Sequence, residues 1–227
     1  MNEIKYKVIY SSRRTLGISI LPDASVTVRV PYRTPEKTIL KMVNDKASWI
    51  QKHSEKFRNR ISENPPVSYS DGDKHPFRGK SFALRIEKSS KPYCRFLDEN
   101  IEIGTAYPDK SEAVRYILQQ GYRREANFIF PSTLKRILEE RSPYGFQVTR
   151  LNIRSMKSRW GSCSNKGVIS LNTELIKLPA VYLEYVILHE LCHLKHHNHG
   201  EGFYMLLEEL FPDWKKVRKE LKGYTLR

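Results

Sequence analysis

The most informative stretch of the sequence is His189-Glu190-Leu191-Cys192-His193. On a helix, His189 and His193 lie one turn apart on the same face, so both imidazoles can reach a single metal ion. Zinc accepts neutral imidazole nitrogens, and a catalytic zinc ion keeps three protein ligands and one water molecule. Glu190 is displaced by one residue and would border that water. The motif therefore predicts a metal-binding helix on which Glu190 is the general base.

The residues around the motif predict that this helix begins near Pro179 and has two different faces. Leucine and isoleucine side chains project away from the metal-binding direction: Leu183, Ile187, Leu191 and Leu194. Tyrosine and histidine side chains project near that direction: Tyr182, Tyr185, His193 and His196. One face can therefore pack in a core while the other lines a cleft.

The motif by itself leaves the third metal ligand open. His196 lies near the same helical face, but three ligands along one straight helix cannot surround a metal ion tetrahedrally. His199 can complete the coordination if the helix ends around His197 or Asn198 and the chain folds back. A downstream carboxylate, Glu208 or Glu209, is a further alternative. Of these candidates, we favour His199.

The segments that flank the motif predict short strands before it and short helices after it. Residues 147–153 alternate as a strand, 161–167 are rich in turn residues, and 168–172 read as the return strand. Such a hairpin could supply an edge strand beside the cleft, where an extended substrate pairs its backbone. Two helices are expected after the motif, from Phe203 to Leu210 and from Trp214 to Leu221.

The first half of the chain predicts β-structure with long helices between the strand groups. Three strands at 5–10, 16–20 and 25–30 suggest an antiparallel meander, and one helix follows from Thr34 to about Arg60. A second strand group covers 67–104. Helical spacing then returns from Ser111 to about Glu140, where Pro131 predicts a kink or a break. The fold class is therefore α+β.

Composition favours a soluble protein of a reducing compartment. The chain of 227 residues has no stretch of about 18 apolar residues and no apolar block at its start, so we expect no membrane and a cytoplasmic location. Its 3 cysteines are odd in number and widely spaced, which argues against a disulfide framework. The isolated His53 and His75 are expected at the surface.

The net charge of +15 raises the possibility of a nucleic-acid partner. Residues 1–150 carry 28 basic and 17 acidic side chains, so most of the excess precedes the histidine-rich segment. The charge is spread thinly, and its densest runs look like solvated helix faces. A basic surface is the favoured interpretation, and a nucleic-acid site is the alternative.

Several stretches together resemble the YgjP-like metallopeptidase family, a group of predicted zinc-dependent hydrolases related to SprT-like proteases. The match is specific over about residues 147–221. It is carried by residues 154–163 (RSMKSRWGSC), 169–172 (ISLN), 185–187 (YVI), the motif itself and Asn198-His199. The resemblance implies a zincin-like domain with His189, His193 and His199 as ligands of one zinc ion and Glu190 as catalytic base. The spacing also equals that of metzincins, but His196 replaces the glycine of their turn, so membership of that group is not favoured.

The Arg159-Trp160-Gly161-Ser162-Cys163 stretch has both functional and structural interpretations. Arg159 could hold a substrate carboxylate or phosphate through two parallel hydrogen bonds, which makes it a candidate substrate-binding residue. We expect Trp160 and Cys163 to pack under the metal-binding helix. Cys192 is also interpreted as a packing residue.

The sequence therefore predicts two regions and one leading function. Residues 1–110 form a β-rich N-terminal region with one helix, which packs on the cleft or covers it, and 111–227 form the zincin-like metallohydrolase domain. The protein is predicted to be a zinc-dependent metallopeptidase in which Glu190 activates a zinc-bound water to cleave a peptide or protein substrate. One alternative is a metal-dependent phosphohydrolase or pyrophosphatase that acts on a nucleotide or another anionic small molecule. A second alternative is a DNA-associated protein with a structural metal site.

Overall fold

The computed structural model describes residues 4–21, 24–63 and 67–224, with the backbone alone for 56–63. Contacts divide the chain into a smaller unit, Met1–Val67, and a larger unit, Ser68–Arg227. The division therefore falls between 67 and 68. The strands that follow it, which we had grouped with the N-terminal region, belong to the larger unit because they pack against its long helix.

The smaller unit is a three-stranded sheet with two helices. Its strands have the order β1-β3-β2. The elements are β1 (Tyr6–Ser11), β2 (Gly17–Ile20), β3 (Val26–Pro31), α1 (Glu36–Asp45) and α2 (Ala47–Glu63). Alternate residues of β3 are buried against α1 and α2, in a core formed by Val26, Val28, Val30, Ile39, Val43 and Ile50. The predicted single helix is divided at Lys46, and the predicted meander is wrong because β1 joins β3 in parallel.

The first part of the larger unit is a four-stranded sheet covered by one long helix. The strands are β4 (Lys74–Phe77), β5 (Lys80–Lys88), β6 (Tyr93–Phe96) and β7 (Asn100–Thr105), in the order β4-β5-β7-β6. The helix is α3 (Ser111–Glu140), which packs on β6 and β7. His75 of β4 is buried, not at the surface as expected, and its Nε2 lies 2.9 Å from the Ser68 carbonyl oxygen.

Of the kink or break predicted at Pro131, the break is wrong, because α3 is assigned as one helix from Ser111 to Glu140. Proline removes one backbone donor from the helix. Next to it, the hydroxyl groups of Ser132 and Thr133 donate to the Ile129 carbonyl at 2.8 and 2.9 Å. These bonds add local polar partners at the proline, and Phe130 and Leu134 on either side are buried in the core. Tertiary packing therefore outweighs the local preference of proline.

The last part of the larger unit is a second small sheet followed by three helices. The elements are β8 (Arg150–Arg154), β9 (Gly161–Cys163), β10 (Val168–Asn172), α4 (Ala180–Cys192), α5 (Glu201–Leu210) and α6 (Trp214–Leu221). The expected return strand, β10, pairs with β8 in parallel and with the short β9 in antiparallel orientation. The strand order is β8-β10-β9, so β9 lies at one edge of the sheet. Along its length, α4 contacts β9.

All three sheets contain the same three-stranded arrangement. The third strand of each set in chain order lies in the middle, parallel to the first and antiparallel to the second. Sequence alternation predicts where strands occur, but it does not predict this order. Side chains alternate between the two faces of a sheet in the same way whether neighbouring strands are parallel or antiparallel. In the described part of the chain, no helix has both the length and the apolar character needed to cross a membrane.

Candidate metal centre

The motif lies on the most buried helix of the larger unit. Most of α4 is buried, including Leu183, Ile187 and Leu191 on the predicted apolar face. Tyr182 and Tyr185, on the predicted cleft face, are buried as well. The helix is therefore enclosed on both sides, with His189 in its last turn and His193 as its C-cap residue.

After the motif, the chain turns back sooner than expected. The α4 helix ends at Cys192, whereas the sequence predicted an end around His197 or Asn198. The Cys192 carbonyl accepts hydrogen bonds from the amides of Lys195 and His196, which closes the last turn. The chain then returns His199 to the motif, where its Nε2 is 3.1 Å from Nε2 of His189.

Three imidazole rings form one compact cluster. One ring nitrogen from each of His189, His193 and His199 lies within 4.8 Å of the corresponding atoms of the other two. Two nitrogen ligands of a tetrahedral zinc ion stand about 3.3 Å apart, so small rotations of the rings suffice for a shared ion. Phe203 packs against all three rings, with centroid distances of 4.7 to 5.0 Å. The donor set and its spacing therefore fit zinc.

The other candidates for a third ligand have different neighbours. The His196 ring packs beside Gly202. The backbone carbonyl oxygen of His196 lies 3.2 Å from His193 Nδ1. Glu208 accepts a hydrogen bond from the Trp214 indole, and Glu209 accepts one from the Tyr144 hydroxyl. Among the described residues, the cluster of possible ligands thus consists of His189, His193 and His199.

The surroundings of the cluster favour neutral imidazoles, which are the form that binds metal. The contact between His193 Nδ1 and the His196 carbonyl fits a proton on Nδ1, which leaves Nε2 free for a metal ion. Burial lowers the pKa of His189 to about 3, with smaller effects from the His193 and His199 rings and from Arg218. Nδ1 of His189 is buried without a hydrogen-bond partner in the described structure.

Glu190 lies beside the cluster and is buried. Burial raises the pKa of its carboxyl group to about 8, and the Arg159 guanidinium acts in the opposite direction. Its neighbour on the sheet is Gly161, the first residue of β9. A Cβ atom on Gly161 would lie 2.6 Å from Glu190 Oε1 and 2.8 Å from Val186 Cγ1. Only glycine therefore lets the edge strand approach the carboxylate this closely.

The Arg159 segment is held in place by a residue whose role the sequence did not indicate. Asn172, at the end of β10, is fully buried. Its side-chain amide donates to the carbonyls of Met156 and Arg159 at 2.8 and 2.9 Å. Its backbone amide donates to the Trp160 carbonyl at 2.8 Å. The loop that carries Arg159 is thus anchored to β10, while the Arg159 side chain remains exposed.

The aromatic and sulfur residues near the motif have packing roles, as expected. Trp160 and Cys163 are partly buried against the main core, and Cys192 is fully buried in it. Burial raises the pKa of the Cys163 thiol to about 11 and that of Cys192 to about 12. Both therefore remain thiols at neutral pH, and among the described residues neither belongs to the cluster of possible metal ligands.

The family comparison agrees with this centre. The model of the YgjP-like metallopeptidase domain matches residues 14–224. The chain belongs to this family. The match covers both units and supports a metal-dependent peptidase. Among curated proteins, none matches the chain.

Two solved structures of archaeal metallopeptidase zymogens resemble part of this YgjP-like protein. Abylysin of Pyrococcus abyssi is 25% identical with a TM-score of 0.37, and the match covers 42% of this chain and 93% of that one. Jannalysin of Methanocaldococcus jannaschii is 26% identical with a TM-score of 0.37, over 41% and 94% of the two chains. Because both TM-scores are low, the family match alone carries the assignment.

Proposed function

We propose that this protein is a zinc-dependent peptidase whose centre is formed by His189, His193, His199 and Glu190. The observation that carries the proposal is the cluster of three imidazoles with a buried carboxylate on the adjacent residue of the same helix. Bound there, a zinc ion would supply Lewis acidity, which polarises the scissile carbonyl and lowers the pKa of water. One ion per chain fits the single cluster in the described residues.

Glu190 is the proton carrier in this proposal. It accepts a proton from the attacking water and returns it to the nitrogen of the leaving amine. Burial raises the carboxyl pKa to about 8, so Glu190 readily holds the proton that it must pass to the leaving nitrogen. A divalent cation bound beside it would favour the ionised form that accepts the proton from water. Gly161 supports this role as well, since the close approach of β9 limits the space into which the Glu190 side chain can turn.

The β9 strand is the proposed docking edge for an extended peptide. It lies at the edge of its sheet and contacts α4, next to Glu190. An extended substrate that pairs with such an edge presents its backbone carbonyls at regular spacing, which suits cleavage of a peptide bond. Arg159, in the loop just before β9, is the proposed contact for an anionic group of the substrate.

The test is a comparison of two histidine variants. Purified protein is loaded with zinc, its metal content is measured, and cleavage of a peptide library is followed by mass spectrometry. His199→Ala is expected to weaken zinc binding at least a hundredfold and to abolish cleavage, because it removes a ligand. His196→Ala, three residues away, is the matched control and is expected to keep both. Equal zinc binding in the two variants would refute the proposed centre.

Nucleotides and DNA belong in the same assay, because the net charge of +15 suits anionic partners. Nucleotide hydrolysis that falls in Arg159→Ala while no peptide is cleaved would support the phosphohydrolase alternative. DNA binding with a steep salt dependence and no hydrolysis would support the DNA-associated alternative. Peptide cleavage alone is the expected result.

A further inference from the structure

Helix α6 carries an arginine in its buried stripe. Its buried residues are Trp214, Val217 and Leu221, which are spaced at i, i+3 and i+7. Arg218 occupies i+4, on the same face, and is half-buried. Helical packing normally reserves this position for an apolar side chain. A charged group there calls for a specific partner, because burial of an unpaired charge is costly.

This face of α6 is directed towards the metal-binding helix. Tyr182 of α4 donates to Glu220 of α6 at 3.1 Å, and Tyr185, one turn further along α4, packs 5.9 Å from Phe211 before α6. A later residue of α4 thus contacts an earlier residue of the α6 segment, so the two segments are antiparallel. His189 is one further turn along α4, on the side of Tyr185, so the start of α6 lies nearest to it.

A row of stacked rings connects α6 with the histidine cluster. The Trp214 ring stacks on Tyr204 at 5.0 Å, and Tyr204 stacks on His199 at 6.1 Å. The Arg218 guanidinium lies 5.8 Å from the centre of the Trp214 ring. Burial is the largest cause of the lowered pKa of both His189 and His199, and Arg218 acts on both in the same direction. The positive charge of Arg218 therefore disfavours the protonated form of two of the three proposed ligands.

In the part of the chain that the structure describes, Arg218 has no charged partner that would explain its position. Across the described residues, no carboxylate forms an ion pair with Arg218 and no side-chain hydrogen bond satisfies its guanidinium, which lies over the Trp214 ring. The nearby carboxylates are engaged elsewhere: Glu208 with Trp214 and Lys215, and Glu220 with Tyr182. Within the described ranges, the guanidinium N–H donors therefore have no side-chain acceptor.

A free guanidinium beside a metal site is electrostatically unfavourable until an anion joins it. Three neutral imidazoles contribute no negative charge, so a divalent cation among them repels Arg218. A negatively charged oxygen between the two would be attracted by both and would accept charge-assisted hydrogen bonds. Such an oxygen arises in peptide hydrolysis on the attacked carbonyl, and it is also present in a carboxylate.

We propose that Arg218 is a substrate-binding residue of the metal centre, whose guanidinium holds a negatively charged, carbonyl-derived oxygen of the peptide beside His189 and His199. The proposal rests on the proposed peptidase function and adds a residue from α6 to it. The oxygen belongs either to the attacked carbonyl or to a free C-terminal carboxylate of the peptide, and these two sources share the same chemistry.

Acetate, a minimal carboxylate, provides a test that does not depend on turnover. The full-length protein is loaded with Co²⁺, whose visible absorption reports on its surroundings, and the spectrum is followed as acetate is added. Arg218→Met is expected to raise the acetate Kd about tenfold, because it removes the charge-assisted hydrogen bonds. Arg218→Lys keeps the charge and is expected to show a smaller rise. Lys219→Met, the matched control, removes the same charge from an exposed position of α6 and is expected to leave the Kd unchanged.

Cobalt stoichiometry and the thermal midpoint are measured for each variant, which separates this proposal from the proposed function. Equal acetate affinity in the wild type and a folded, cobalt-loaded Arg218→Met would overturn the role of Arg218 and leave the metal centre standing. A wild-type protein that binds no cobalt would overturn both. Equal rises in Kd for Arg218→Met and Lys219→Met would show a general charge effect and would also overturn the role.

A peptide pair then identifies the oxygen. One cleavable peptide is prepared with a free C-terminal carboxylate and with an amidated C-terminus, and kcat and KM are measured for the wild type and Arg218→Met. A fall in kcat for both peptides assigns the attacked carbonyl. A loss confined to the free acid, mainly in KM, assigns the terminal carboxylate. Unchanged kinetics for both would contradict the proposal.

Discussion

The sheet of the smaller unit and the second sheet of the larger unit have the same strand arrangement but different chemistry. In each, the last strand lies between a parallel and an antiparallel neighbour. On β1–β3, the helices contribute apolar side chains such as Ile39, Val43 and Ile50. Beside β8–β10, the helix contributes His189 and Glu190 as well as its apolar residues.

The comparison shows that one strand arrangement can carry either purely apolar helices or a helix with the side chains of the candidate centre. Gly17 and Gly161 begin the second strands of the two sheets. A Cβ atom on Gly17 would meet the flexible end of Arg13 at 3.1 Å, whereas one on Gly161 would meet Glu190 and Val186. The same strand position is therefore tolerant in one sheet and constrained in the other.

The largest effect is expected from Glu190→Gln. The amide has nearly the same shape but cannot accept a proton from water, so kcat is expected to fall about a thousandfold, within the usual range for a general base. Zinc content should stay the same because Glu190 is not a proposed ligand. Glu184→Gln, on the same helix and paired with Arg136 at the surface, is the control and should keep full activity. Full activity in Glu190→Gln would mean that Glu190 is not the base, and the proposed chemical difference between the two sheets would then fail.

A pair of core variants tests whether the two units are independent. Ile39→Ala in α1 and Ile187→Ala in α4 each remove a fully buried side chain, and each is expected to lower the free energy of unfolding by about 3 kcal/mol. Only Ile187→Ala should also weaken zinc binding, because its helix carries two proposed ligands. Denaturant unfolding and zinc titration measure the two effects. Weaker zinc binding in Ile39→Ala would show that the smaller unit supports the centre.

The pH dependence of stability isolates the buried carboxylate. The folded-state pKa of Glu190, about 8, is above its ordinary value of 4.5, so its contribution is full at low pH and is lost as the pH rises through 8. The pKa of His189 is lowered to about 3, so its contribution to stability has the opposite pH dependence. That contribution is full above the ordinary pKa of 6.5 and is lost as the pH falls towards 3. Between pH 6.5 and 8, the metal-free protein is therefore expected to lose about 2 kcal/mol of stability through Glu190.

Metal-free Glu190→Gln is the reference for this measurement, since it lacks the titrating group and keeps the remaining charges. Its unfolding free energy should change less than that of the wild type between pH 6.5 and 8. Parallel curves for the two proteins would mean that the carboxylate is not held in a buried, neutral state.

The smallest effect is expected at the edge strand. Gly161→Ala forces Glu190 or β9 to move by a few tenths of an ångström or more, and kcat is expected to fall about tenfold with zinc still bound. Gly17→Ala, the first residue of the equivalent strand, should leave kcat unchanged because Arg13 can move aside. Similar kinetics for the two variants would indicate that the approach of β9 to Glu190 does not matter for catalysis.

Local patterns predicted the elements better than their arrangement. The period of the apolar residues located β3, β10 and α6, and the motif located α4, because these signals depend on neighbouring residues alone. Strand order failed in both three-stranded sheets, since it depends on which segments meet in space. Pro131 was expected to kink or break α3, but no break occurs, and the residues on both sides of the proline are packed in the core.

By itself, the sequence determined the family, the motif and the pairing of His189 with His193, because residues four apart on a helix share a face. It also favoured His199 over His196, since a straight helix cannot provide three tetrahedral ligands. Only the tertiary structure decided how closely β9 approaches Glu190, how Asn172 anchors the Arg159 loop and where Arg218 lies. These residues are distant in sequence, and only the packing of β9, β10 and α6 against α4 brings their segments together.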